Sequence, residues 1–358
     1  MIQTFSCSPP AAGAQEARPP RRAKSSKRFT IDIHCHLHIE AADKLVDGLY
    51  DPSKDPIFGF ASASSREVNR KQMASLHGKL TSIEERLADM DRYGIDVQAM
   101  SPAPHQYCYW APPEAGLNAC RAVNEGIAGI VEKHPLRFVG MGCVPMQEPR
   151  LAVQELQRMV KELDLRGVEI GTNVNGRDLS DDAYRPFFAK AEELGILVFM
   201  HPLGTTEGRR LAEHYLVNIV GNLLDSTIAV SRLIFDGVLD AYPDLKVCVA
   251  HGGGYLPFYP ARMDHAHAVR LDCRERISKP PTSYLKKLHF DTVVFDPRQL
   301  EYLVDLYGRE QLLLGTDYPY DMSEIDPVRF VESAKKLTER DLVAICGGNA
   351  ARLLRIRR

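Results

Sequence analysis

Two histidines in the run Ile31-Asp32-Ile33-His34-Cys35-His36 are spaced for shared chemistry. In an extended strand, residues i and i+2 project to the same side. His34 and His36 therefore point the same way where an apolar strand ends. Two converging imidazoles make half of a divalent-metal site. The pattern recurs along the chain. Leu197-Val-Phe-Met200 runs into His201-Pro202, Val247-Cys-Val-Ala250 into His251-Gly-Gly-Gly254, and Leu312-Leu-Leu314 into Gly315-Thr-Asp317-Tyr-Pro319. Four apolar runs thus each end in groups that bind metal or move protons. Three imidazoles and one carboxylate suit Zn²⁺, with Mn²⁺ as the alternative. A remaining open position would hold water made acidic by the ion. Five candidates exceed the usual ligand count, and His251 is assigned as the general acid/base, a role imidazole fills near neutral pH. His38 continues the alternation past the strand end and is not expected to be a ligand.

Such residues meet only if the elements carrying them share one end of a fold. Eight short apolar segments read as buried strands: 30–33, 97–100, 138–143, 167–170, 197–200, 247–250, 288–291 and 312–314. Amphipathic stretches at 82–92, 115–132, 151–163, 181–194, 227–239, 300–307 and 328–336 read as helices. Ser82 and Glu85 have the spacing of a capping box. Alternating strands and helices demand a parallel sheet covered by helices, and eight units favour a closed (β/α)8 TIM barrel. In that fold the C-terminal strand ends converge on one mouth. Residues 41–79 fit no unit and are expected to form a long loop or small cap after strand one. Residues 204–220 form a second insertion after strand five. Residues 1–28 are rich in Pro, Ala, Ser and basic side chains and are expected to be a disordered extension, leaving 29–358 as the barrel domain.

Composition limits the alternatives. The chain has 358 residues, 26% charged and 44% hydrophobic, which is enough apolar material for one large core. A formal net charge of −2 offers no electrostatic case for nucleic acid or an anionic membrane as partner. No apolar run is read as a membrane span. The eight cysteines are scattered, without a Cys-x-x-Cys pair, and are expected to be reduced thiols. With no apolar leader at the start, a cytoplasmic location is expected.

The motifs Asp32-Ile-His-Cys-His36, His201-Pro202, Ala250-His-Gly-Gly-Gly254 and Gly315-Thr-Asp-Tyr-Pro319 resemble those of the second amidohydrolase family. Within it they resemble the 2-amino-3-carboxymuconate 6-semialdehyde decarboxylases. Supporting stretches are 88–91, 109–111, 137–140, 168–172 and 348–354, so the resemblance runs from about Thr30 to Leu354. It implies a (β/α)8 barrel, one Zn²⁺ and nonoxidative loss of CO₂ from an unsaturated or aromatic carboxylic acid. It implies His34, His36, His201 and Asp317 as ligands, with His251 and Asp317 at the proton-transfer step. It also implies a homodimer in which Arg262 crosses the interface to a small-molecule substrate's carboxylate. A second substrate arginine follows strand one, and Arg66 fits it best, with Arg70 as competitor. One departure is Leu203, where the decarboxylases carry a Trp that packs on substrate. The same site would also serve a hydrolase or hydratase acting on a lactone or unsaturated dicarboxylate. A metal-stabilised scaffold without activity is the reading from another class, and the intact ligand set opposes it.

Overall fold

A computed structural model describes residues 28–50, 61–205 and 208–356. All eight expected strands form, and they lie side by side in chain order in one parallel sheet. They are β1 (Ile31–Leu37), β2 (Val97–Pro102), β3 (Phe138–Gly142), β4 (Gly167–Ile170), β5 (Leu197–Met200), β6 (Lys246–Val249), β7 (His289–Asp291) and β8 (Leu312–Leu313). Ile33 N–H donates to Leu314 O at 2.9 Å and His36 N–H to Tyr318 O at 2.7 Å, joining the last strand to the first. The sheet is therefore a barrel. A two-stranded antiparallel hairpin, Asn173–Val174 with Arg177–Asp178, was not anticipated.

Strand alternation divides the apolar side chains between two cores. Ile31, Ile33, Val97, Ala99, Val139, Met141, Leu197 and Phe199 fill the barrel interior. Ala350, Leu353 and Leu354 of the last helix pack into the same cluster, together with Phe29. Met100, Val168, Val198, Met200 and Val249 face outward onto the helices. The register of β1 slips between Asp32 and Cys35. Such a bulge re-aims side chains. Ile33 still packs in the interior, yet His34 and His36 beyond it also turn inward.

The helices follow the expected pattern with corrected ends. Helix α3 (Ile83–Tyr93) starts at Ser82, whose hydroxyl accepts from Glu85 N–H. The expected reciprocal half is missing, because Ser82 N–H donates to Gly78 O. The full capping box is at Thr338 and Asp341 instead. The segment at 41–79, expected as a long loop or a small cap, is mostly helical where described, which is the cap alternative: α1 spans Glu40–Val46 and α2 spans Ala63–Thr81. By length and composition alone, Val217–Phe235 could cross a membrane, contrary to the expectation that no such stretch exists. Here it is a wall helix that buries Ala229, Val230, Leu233 and Ile234 against the barrel.

Residues 1–27 of the expected extension lie outside the described residues. Arg28, placed in that extension, instead pairs with Glu332 and with Glu339, the latter at 2.7 Å. The seven described cysteines are free thiols, all buried except Cys273.

Candidate metal centre

The mouth of the barrel gathers all five expected groups. The ring centroids of His34 and His36 lie 5.1 Å apart, those of His34 and His201 5.0 Å, and those of His201 and His251 5.0 Å. Hydrogen bonds assign the tautomers of the first two. His34 Nδ1 lies 2.6 Å from the Asp291 carboxylate and His36 Nδ1 lies 3.1 Å from the Pro102 carbonyl. Both partners only accept, so both Nδ1 atoms carry the proton. In the neutral rings the two Nε2 atoms then present lone pairs, and they face each other at 3.1 Å. Asp317 Oδ1 joins them at 3.2 Å from His34 Nε2 and 3.3 Å from His36 Nε2.

Three bare acceptors at such separations repel one another unless a cation or a proton lies among them. A tetrahedron with ligand atoms about 2.0 Å from its centre has edges of about 3.3 Å. His201 strengthens the case. Neither of its ring nitrogens has a hydrogen-bond partner, although the side chain is buried, and Asp317 Oδ1 is likewise without a donor. Buried polar atoms are normally satisfied. The residues therefore fit a divalent cation by their own chemistry. Among the described residues, His34, His201, His251 and Asp317 offer one ligand set and His36, Glu169 and His201 a second, overlapping one.

Burial would lower His34, but the carboxylates of Asp317 and Asp291 prevail and raise it well above the ordinary histidine value, so a proton fills this gap where no ion does. Burial, followed by the neighbouring His36, His251 and His34, pushes His201 well below the ordinary histidine value, which keeps it neutral. Burial alone would raise Asp317. The imidazoles around it, His34 foremost, prevail and hold it well below the usual carboxylate range. The two oxygens of Asp317 look different ways: Oδ1 faces His34 and His36, while Oδ2 lies 3.4 Å from His251 Nε2.

The backbone at His251 and Asp317 is unusual. His251 has φ of 56° and Asp317 of 63°. Left-handed non-glycine residues cluster at functional sites, where their surroundings hold them. Asp317 N–H donates to His34 O at 2.8 Å. Asp291 accepts from His251 N–H at 2.9 Å and from Gly252 N–H at 2.8 Å. The three glycines after His251 all have positive φ. A Cβ on Gly252 would lie 2.4 Å from Val294 Cγ1, so the run is required by protein packing as well as by any ligand.

Several residues at the mouth were missed in the sequence. Asp291 ends β7 as His201 follows β5, so the same strand-end rule could have found it. Glu169 interrupts the apolar strand β4, is fully buried, lies 3.7 Å from His36 Nδ1 and accepts from the Tyr107 hydroxyl. Burial raises its pKa. Asp32 braces the mouth from behind, accepting from Thr316 Oγ1 at 2.7 Å and Gln98 Nε2 at 3.0 Å, and burial pushes it up to about 6. His38 turns away from the cluster towards His105 and Asp43, as expected.

A cavity of about 310 Å³ opens onto His201, His251 and Asp317, and Leu203 lines it. Helix α2 contributes Ser65, Asn69, Gln72 and Met73 to its wall. Arg66 is exposed on another face of that helix and is not among the described residues that line the cavity. Arg70 is also exposed and pairs with Glu67. Arg262 sits exposed on α8 (Ala261–Val269), away from its own chain's cavity.

Comparison with known proteins agrees with this geometry. The chain is 38% identical over 270 residues, 75% of either chain, to a 2-amino-3-carboxymuconate-6-semialdehyde decarboxylase of Dictyostelium discoideum. The crystal structure of 5-carboxyvanillate decarboxylase from Sphingomonas paucimobilis superposes with a TM-score of 0.82 at 26% identity, covering 92% of this chain and 99% of that one. A dihydroxybenzoic acid decarboxylase from Polaromonas, solved with bound manganese and an inhibitor, shares the fold with a TM-score of 0.79 at 24% identity, over 92% of this chain and 98% of its own. The amidohydrolase family model matches residues 31–356, and by that match together with the barrel and its His/Asp mouth the chain belongs to the amidohydrolase family.

Proposed function

We infer that this protein is a metal-dependent, nonoxidative decarboxylase of an aromatic or unsaturated carboxylic acid. The observation that carries the reading is the convergence of His34 Nε2, His36 Nε2 and Asp317 Oδ1 within 3.3 Å of one another beside the unpartnered His201. His34, His36, His201 and Asp317 would hold one divalent ion. The donor set suits Zn²⁺ and also tolerates Mn²⁺, the ion bound in the Polaromonas relative. When bound, the ion supplies a fixed positive charge that anchors the substrate carboxylate and a neighbouring oxygen.

Loss of CO₂ exchanges a carbon–carbon bond for a carbon–hydrogen bond, so one proton must be delivered to carbon. His251 and Asp317 are placed to do this. His251 Nε2 lies against Asp317 Oδ2, so a proton held between them stands at the inner end of the cavity. As the bond to the carboxylate breaks, its electron pair passes into the ring or double bond and the new C–H bond forms. The apolar walls of the cavity keep water from competing for that proton.

Arg262 would grip the carboxylate in the active site of a second copy, which makes the working unit a homodimer. Its exposure, and the exposed Tyr259, Val269 and Leu271 in the same stretch of chain, support this reading. A reducing compartment, the cytoplasm, suits the free thiols. The test is stoichiometric. Purified protein should contain about one divalent ion per chain and release one CO₂ per substrate consumed from a panel of hydroxylated aromatic acids. Substrate loss without CO₂ would turn the reading to a hydrolase or hydratase. Full activity after removal of the metal would end it.

A further inference from the structure

We propose that Asn222 is a specificity-determining residue whose side-chain Nδ2 donates to an oxygen that the substrate keeps when CO₂ leaves. The proposal rests on the decarboxylase reading and deepens it. Two observations carry it.

The first is the place of Asn222. A second cavity of about 220 Å³ adjoins the first, and the two share Asn218, Asn222, His251, Asp317 and Met322 in their walls. Asn222 therefore stands at the junction of the cavities, with the two residues placed to move a proton. It closes a single π turn, Val217–Asn222, at the start of the wall helix. Such turns are rare and are found mostly at functional sites. Around the junction the walls are largely apolar, with Leu203 and Leu211 in the first cavity and Leu223, Val293 and Val294 in the second.

The second is that the amide of Asn222 has one allowed orientation. Gly204 N–H donates to Asn222 Oδ1 at 3.1 Å. A backbone N–H only donates, so the atom that meets it is the oxygen and not the nitrogen. The other arm of the amide is Nδ2, with two N–H donors. It has no partner among the described residues. A ligand that displaces water from these donors must offer an acceptor or leave them unpaired at a cost. In the proposed dimer the substrate carboxylate goes to the ion and to Arg262 of the partner subunit. The acceptor left for Asn222 is then an oxygen on the remainder of the substrate. An amide N–H does not give up its proton near neutral pH, so Asn222 orients this oxygen while His251 handles the proton.

The test uses the metal-loaded enzyme and three probes: salicylate, benzoate, which lacks the retained oxygen, and phenol, which lacks the carboxylate. Binding is measured by calorimetry. Asn222→Asp keeps an acceptor for Gly204 N–H and replaces the NH₂ donor by a second acceptor. Asn222→Leu removes both without adding charge. Wild type should prefer salicylate to benzoate. Both probes are monoanions, so the added charge of Asn222→Asp cancels in their ratio. That ratio should fall about tenfold in Asn222→Asp, the value of one oriented hydrogen bond. Metal content and thermal midpoint should stay at wild-type values. In Asn222→Leu salicylate and phenol should each weaken about tenfold while benzoate does not. For any hydroxylated aromatic acid that is turned over, the loss should appear in KM and not in kcat. Salicylate binding no better than benzoate to wild type would overturn the proposal. A preference that survives Asn222→Asp would do the same and leave Asn222 as a brace for Gly204 alone. Benzoate weakened as much as salicylate in Asn222→Leu would place the donor on the carboxylate and also overturn it. If the preference behaves as expected while no acid releases CO₂, the decarboxylase reading fails and the assignment of Asn222 stands.

Discussion

Asp291 acts on the site through the groups it holds: it accepts a hydrogen bond from His34 Nδ1–H, which turns His34 Nε2 towards the other expected ligands, and it also accepts from the backbone N–H groups of His251 and Gly252. Burial would raise its pKa; the bond to His34 outweighs burial and lowers it. Asp291→Asn replaces an acceptor by an amide that can donate to His34 and stabilise the wrong tautomer. Metal affinity should fall about 10–100-fold, measured by competition with a chelator, with the fold retained. The proposed ligand His201 and the proposed proton-transfer residue His251 separate in the same assay. His201→Ala should release the metal, whereas His251→Ala should keep it and lose about 10²–10⁴-fold in kcat. Metal loss from His251→Ala would make His251 a ligand. His201 and His251 were legible in the sequence because each directly follows an apolar run, His34 and His36 because two histidines two residues apart share one side of a strand, and Asp317 because it lies three residues past the run 312–314. Glu169 and Asp32 were not, because each sits inside a strand, where one polar letter among apolar ones carries no sign of which partner it meets.

At the scale of elements, legibility followed burial. Every barrel strand is sandwiched between interior and helices, so all eight read as apolar runs, and their limits were off by only a few residues. Helix α2 was invisible for the opposite reason: of its 19 residues only Leu80 is buried. A helix without a broad apolar stripe leaves no hydrophobic period to detect. Its inward residues, Ser65, Asn69, Gln72 and Met73, do fall at helical spacing, but most are polar because they face a cavity and not the core. The element that locks this cap to the barrel is α3, through Arg86. That side chain is 1% exposed and donates to Gln98 Oε1 at 3.1 Å and to the carbonyl of His36, while its guanidinium lies 4.8 Å from the ring centre of Tyr318. One residue thus ties α3 to β1, to β2 and to the loop that carries Asp317. Arg86→Met should lower stability by about 2–5 kcal/mol in urea unfolding, because each acceptor left buried and unpaired costs about 1–3 kcal/mol. Arg86→Lys should recover only part, since one ammonium cannot span the acceptors that the planar fork reaches. An unchanged unfolding midpoint in Arg86→Met would show that the contacts are incidental.

The whole molecule poses the question of where the substrate arginine comes from. The described lining of the cavity contains no arginine, Arg66 lies on another face of α2, and Arg262 is exposed on α8 outside its own mouth. Periodicity within a single chain carries no sign of a group that a second copy would supply. A two-fold interface would bring Arg262 to the neighbour's mouth twice. Tyr259 at 72% exposure, Val269 at 64% and Leu271 at 72% are the apolar side chains such an interface would cover. Complementation tests this directly. Arg262→Ala and His251→Ala are each expected to be inactive as pure dimers. After dissociation and reassociation, mixed dimers form in which the His251→Ala chain still carries an intact Arg262. It donates that arginine to the partner, whose His251 is intact, so one of the two sites works and the other lacks both groups. A statistical mixture contains half mixed dimers, so about one quarter of wild-type activity should return. Arg262→Lys keeps the charge and loses the bidentate fork. It should raise KM while sedimentation still reports the dimer. If mixed dimers are shown to have formed and no activity returns, Arg262 acts within its own chain or has no part in the reaction. A monomer in sedimentation at working concentration would remove the shared site altogether.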